Sequence, residues 1–171
     1  GYNAFVLKYR AGLGGSAATE DLAAALSFIM RSADTLGVAR RGYSLWGSSA
    51  GARMAAAIGS HGVARFGGDD FSKPAALILA YTGHSEIAES EPPTFVVVGE
   101  NDAIAPPAVM AQRVAALRAA GTPTEFRRYP HVGHGFGPGV GTSAEGWLGH
   151  ALRFWERFRA RTDIDSSTLK E

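Results

Sequence analysis

Short, unbroken apolar runs alternate along this chain with longer stretches in which apolar residues recur every three or four positions. The runs predict buried strands and the recurring spacing predicts amphipathic helices. Asn3 to Tyr9 is the first run, closed by Gly12-Leu13-Gly14-Gly15, and predicts a strand. From Glu20, the residues Leu22, Ala25, Leu26, Ile29, Ala33 and Leu36 keep helical spacing, with Thr19 as cap and Gly37 as left-handed terminus. Tyr43 to Trp46 predicts a second strand, followed after Gly47 by a small-residue helix from Ala50 to Ile58. Ala75 to Tyr81, Thr94 to Val98 and Thr124 to Tyr129 predict three more strands. A helix from Pro107 to Ala120 opens on proline and stops at Gly121, and a last helix puts Leu148, Ala151, Leu152, Trp155 and Phe158 on one face. Strands alternating with helices at this spacing give an α/β class: a mostly parallel sheet of about five strands with helices on both faces. A single domain is expected over residues 1–161, with 162–171 as a C-terminal tail.

Composition narrows the function class. The chain has 171 residues, 46% hydrophobic and 19% charged, as expected for a globular domain. With 17 basic and 16 acidic residues the net charge of +1 offers no field for nucleic acid or an anionic membrane, which leaves a small molecule as the expected partner. No apolar run reaches the roughly 18 residues of a membrane span, and Gly1 to Phe5 lack the basic and apolar regions of a signal peptide. The absence of cysteine excludes disulfides, thiol catalysis and thiolate metal sites without naming a compartment.

Candidate chemistry begins at Gly47-Ser48-Ser49-Ala50-Gly51. A serine hydroxyl attacks a carbonyl only with a general base beside it, a group orienting that base and donors for the oxyanion. A Gly-x-Ser-x-Gly turn between strand and helix meets the first need by exposing the serine at a sharp corner. In a chain with 22 glycines the pattern alone is weak, and its place between a predicted strand and a predicted helix is what strengthens it. Asp102, in Gly99-Glu100-Asn101-Asp102 after the strongest strand, is placed to orient a histidine. Asp69 and Asp70 follow no strand and are poorer candidates. His134, in Gly133-His134-Gly135-Phe136-Gly137, is preferred as base over His131, which directly follows Tyr129-Pro130. The pair His131-x-x-His134 lacks a nearby acidic or thiolate partner, so neither metal nor cofactor is expected. Trp46, Trp147 and Trp155 are assigned to packing.

The chain order Ser49, Asp102, His134 is that of the α/β-hydrolases. Tyr43 to Gly51, Val98 to Asp102 and Gly133 to Gly137 resemble bacterial α/β-hydrolase esterases, most closely the compact carboxylesterase-like and acetyl-xylan-esterase-like branch, in which a His-Gly-Phe-Gly segment precedes a final helix like Glu145 to Arg159. The resemblance implies ester hydrolysis with Ser49 as nucleophile, His134 as general base and then acid, Asp102 as its orienting partner and the Ala50 backbone N–H as one oxyanion donor. Family members carry further strands and a His-Gly-Gly oxyanion loop before the position of Gly1. The resemblance therefore also implies an N-terminally incomplete α/β-hydrolase fold with unpaired strand edges, completed by an upstream segment or another chain. The expected function is hydrolysis of a small carboxylic ester, acetyl esters of carbohydrates among them. A serine peptidase or thioesterase on the same triad, and a non-catalytic fragment or binding module, remain the alternatives.

Overall fold

The computed structural model describes residues 1–12 and 14–164. Its elements are α1 (Gly14–Arg31), α2 (Ala33–Leu36), β1 (Ser44–Ser48), α3 (Ala50–His61), a 3₁₀ turn (Ala64–Phe66), β2 (Ala76–Ala80), β3 (Thr94–Gly99), α4 (Pro107–Ala119), β4 (Thr124–Tyr129) and α5 (Trp147–Ile164). The four strands form one parallel sheet in the order β1-β2-β3-β4. Every residue of β2 and β3 is buried, which is why these strands are unbroken apolar runs instead of alternating ones. Leu77, Leu79 and Val96 face a layer built from α1, α3 and α4, through Ala23, Leu26, Ala52, Ala56, Met110 and Val114. Ala76, Ile78, Phe95 and Val97 face α5 on the other side, against Ala151 and Phe154.

The expected first strand does not form. Residues 1–10 join no ladder, Val6 is 97% exposed and Phe5 is 52% exposed. A strand needs a lateral partner for its backbone, and this segment pairs with no described strand, so the outer edge of β1 is left without a partner among the described residues. Side-chain contacts hold it instead: Tyr2 packs on Trp155 and bonds to Glu156, Asn3 Nδ2 donates to Gly37 O at 3.5 Å, and Arg10 pairs with Asp21. Among the described residues the sheet thus has four strands, not about five.

Further boundaries moved, those of the first and last helices most. The first helix starts at Gly14, so Thr19 lies inside it and donates to Gly15 O at 2.8 Å instead of capping. Gly37 does end the region, in the left-handed conformation at φ 64°. The last helix continues to Ile164; residues 165–171 of the expected tail lie outside the described residues. Trp147 is buried and Trp155 packs partly buried on the α5 side, whereas Trp46 is 40% exposed because β1 is an edge strand that no layer fully covers. Among the described residues no helix is long and apolar enough to cross a membrane.

Candidate active site

The C-terminal ends of parallel strands all open on one edge of the sheet, where ligands bind in such folds. β1, β3 and β4 each deliver one candidate residue there. At the end of β1 the chain turns into α3 through Ser49, whose φ of 50° is one of only three positive values among the described non-glycine residues. Such a conformation costs about 1–3 kcal/mol, and its surroundings must impose it. Two contacts do so. The Ser49 N–H donates to Ala80 O at 2.9 Å, extending the ladder one residue past β1. Gly47 lies so close under α3 that a Cβ there would fall 2.3 Å from the Gly51 carbonyl.

The second and third residues arrive on loops that touch. A Cβ on Gly99 would sit 2.1 Å from Val132 O, so only glycine lets the loop after β4 cross the end of β3. The Asn101 N–H then donates to Val132 O at 2.9 Å, tying the two loops together. Asp102 is buried at 3% exposure, and its Oδ1 accepts the Ile104 and Ala105 N–H groups at 2.9 and 2.7 Å, which sets the carboxylate's orientation.

His134 bridges the other two. Its Nδ1 lies 2.9 and 3.1 Å from Asp102 Oδ2 and Oδ1, and its Nε2 lies 2.9 Å from Ser49 Oγ. A carboxylate only accepts, so Nδ1 carries the proton and Nε2 is left as acceptor for the serine hydroxyl. This is the arrangement in which an imidazole takes a proton from a nucleophile. Ala50 is the first residue of α3, so its N–H has no intrahelical acceptor and points where the helix terminus favours negative charge.

The weighed alternatives lie elsewhere. His131 is exposed, Asp69 pairs with Arg31 at 2.9 Å, and Asp70 is exposed. Among the described residues no group of three or more His, Cys, Asp or Glu is arranged to hold a metal.

Two features had no signal in the sequence: the inward turn of Tyr81 and the burial of Glu91, in a stretch that reads as a polar loop. Tyr81, just past β2, takes φ 39° and turns a buried ring against His134, with centroids 5.1 Å apart and planes at 69°. The crossover 82–93 returns to β3 without a helix and is anchored by Glu91, whose side chain is 1% exposed. Glu91 accepts from Ser60 Oγ at 2.5 Å and Ala88 N at 2.7 Å, and pairs at 3.0 Å with the fully buried Arg113. Burial holds the Arg113 guanidinium below arginine's ordinary value despite Glu91. Burial first, then the charge of Arg113, pushes His84 down. Between this crossover, α1 and α3 lies a groove of about 610 Å³ lined by Ser16, Ala57, His61, Phe66 and His84, with Arg53 on the adjoining surface. Arg53, Ala57 and His61 stand at four-residue steps along one face of α3, the face that lines this groove.

A family model, the prolyl oligopeptidase family, matches residues 72–160, a segment that contains Asp102 and His134. No curated protein matches the sequence. Among solved structures the chain is similar to MGS-M1, an α/β hydrolase from a Medee basin deep-sea metagenome library (TM-score 0.72, 20% identity, 88% of this chain and 68% of that one). It is also similar to a truncated carbohydrate esterase from gut microbiota (TM-score 0.72, 15% identity, 84% and 69%). A thermophilic esterase from Thermogutta terrifontis gives a TM-score of 0.66 at 20% identity over 75% of this chain and 60% of that one. The chain thus spans 60–69% of the length of these three relatives. The parallel sheet, the strained serine corner at its C-terminal edge and a family model that matches just over half of the sequence agree: the chain has the α/β-hydrolase fold and belongs to the prolyl oligopeptidase family.

Proposed function

We propose that the chain is a serine hydrolase that cleaves small carboxylic esters through an acyl-enzyme. The observation that carries this reading is the continuous relay Ser49–His134–Asp102, with 2.9 Å on either side of the imidazole. Ser49 Oγ attacks the ester carbonyl carbon while its proton passes to His134 Nε2, and the carbonyl π electrons move onto oxygen. The Ala50 N–H donates to that oxyanion. Asp102 stabilises the imidazolium without taking its proton. Collapse of the intermediate breaks the bond to the alkoxy oxygen, which leaves as alcohol with the proton from Nε2. Water repeats the sequence on the acyl group, returning the carboxylic acid and free Ser49.

Esters are favoured over peptides because an alkoxide departs with less help than an amine, and a site with one identified oxyanion donor serves the easier leaving group. Acetyl esters of carbohydrates are the substrate class proposed first, since a similar structure is described as a carbohydrate esterase. The family match keeps a second reading, cleavage of a peptide amide on the same triad. A fluorophosphonate probe tests the common core: the folded protein becomes covalently labelled and Ser49→Ala does not. Folded protein that resists labelling would be a non-catalytic module, and the proposal would fail. Turnover of a short-chain acetyl ester, set beside a long-chain ester and a peptide amide, then decides between the substrate classes.

A further inference from the structure

The relay holds both nitrogens of His134, yet two hydrogen bonds along one axis leave the ring free to rock about that axis. The inward-turned side chain of Tyr81 closes off this motion. We propose that Tyr81 is a positioning residue whose ring fixes the imidazole plane of His134 between Ser49 and Asp102; this rests on the serine-hydrolase reading of the same site.

Three observations support it. First, a bulky residue in the left-handed region is an outlier that persists only where its surroundings impose it. Tyr81 is pinned there by its N–H, which donates to Val97 O at 2.8 Å. Second, the register places Tyr81 beside the nucleophile. Ser48 pairs with Ala80, so Ser49 and Tyr81 are the next residues on adjacent strands, and both have positive φ. The positive-φ backbone thus aims the hydroxyl from one strand and the aromatic wall from its neighbour at the same imidazole. Third, the wall is itself supported. Phe136, two residues past His134, meets Tyr81 edge-on at 4.7 Å and packs at 6.3 Å on Trp147 of α5 and at 6.1 Å on Tyr129 of β4. Tyr81 and Phe136 therefore connect the imidazole to the packed layer under α5. The Tyr81 hydroxyl makes no hydrogen bond among the described residues, so the ring and not the oxygen performs this role.

Two substitutions separate these contributions. Tyr81→Phe keeps the ring and Tyr81→Leu keeps a buried apolar side chain without it. With an ester that the wild type turns over, Y81F retains kcat within about twofold. Y81L loses about 10- to 100-fold in kcat with KM little changed, the penalty of displacing a reacting group by a fraction of an ångström to about 1 Å. A second readout needs no turnover. The His134 Nδ1–H proton, sheltered on Asp102, gives a resolved NMR resonance in wild type and Y81F, and in Y81L it broadens or vanishes while the rest of the spectrum stays folded. A folded Y81L with wild-type kcat or an unchanged His134 resonance overturns the proposal, as does a Y81F that falls as far as Y81L. If the wild type turns over no ester, the ester reading fails and the resonance alone judges Tyr81.

Discussion

The two glycines of Gly47-Ser48-Ser49-Ala50-Gly51 look equivalent in the sequence and are not equivalent in the structure. A Cβ on Gly47 would lie 2.3 Å from the Gly51 carbonyl carbon and oxygen and 2.5 Å from Ala52 N, whereas a Cβ on Gly51 meets nothing within 4 Å. Gly47→Ala must therefore separate β1 from the first turn of α3 by about 0.7 Å to reach 3.0 Å, the floor for real Cβ contacts. The atoms in the way are backbone, so no side chain can rotate to relieve the clash. Ser49 lies between the two displaced segments, and its oxygen has a 2.9 Å contact to lose. A displacement of this size costs about a hundredfold in a reaction that depends on alignment. Gly51→Ala, in contrast, replaces a helical glycine that has no positive φ and gains up to about 1 kcal/mol of helix propensity, a rise of roughly 2–4 °C in melting temperature. The assay is the second-order rate of fluorophosphonate labelling for each variant, with a thermal melt alongside. G47A labelling at the wild-type rate, or a folded G51A losing its rate as G47A does, would show that glycine's role in this turn has been misread.

Three other expectations follow from the same geometry. Asp102→Asn leaves the fold intact but lets the imidazole take the wrong tautomer, so the acylation rate drops by about 10³- to 10⁴-fold in stopped-flow measurements while KM holds. Glu91→Ala strands the Arg113 cation in the core; breaking such a pair costs about 3–5 kcal/mol, or roughly 6–20 °C of melting temperature, whereas Arg40→Ala, which breaks an exposed pair with Asp34, leaves the melt unchanged. Because His84 is held below its ordinary value of 6.5, the unfolded chain binds a proton that the folded chain refuses. Stability is therefore lost as pH falls through 6.5 toward the folded value, and urea midpoints at about pH 7 and about pH 5.5 differ less in His84→Asn than in wild type.

Local patterns revealed a large part of this molecule because the buried strands and their turns are written locally. Ala76–Ala80 and Thr94–Gly99 are apolar throughout, and Pro107 and Gly121 bracket α4 by their own backbone preferences. The three side chains singled out by motif and chain order meet at the sheet edge for the same reason: each stands just past the end of a legible strand. What stayed hidden depends on partners distant in sequence. Asn3 to Tyr9 has a strand's composition but no ladder to join, and Gly14-Gly15 begins a helix despite glycine's poor propensity. Arg113 looks like part of a solvated helix face until Glu91, 22 residues earlier, is found against it in the core. Nothing in the letter for tyrosine announces a left-handed Tyr81.

Ser49 and His134 are 85 residues apart, and the contact between them requires β1 through β4 to have docked in the correct register. Contacts of such separation are closed late, after loop entropy has been overcome. On the proposed serine-hydrolase reading, reactivity toward a fluorophosphonate probe is therefore a gauge of assembly: a half-folded chain contains every residue of the relay but not their alignment. A one-residue slip between β3 and β4 would silence the probe even while the secondary structure looked intact.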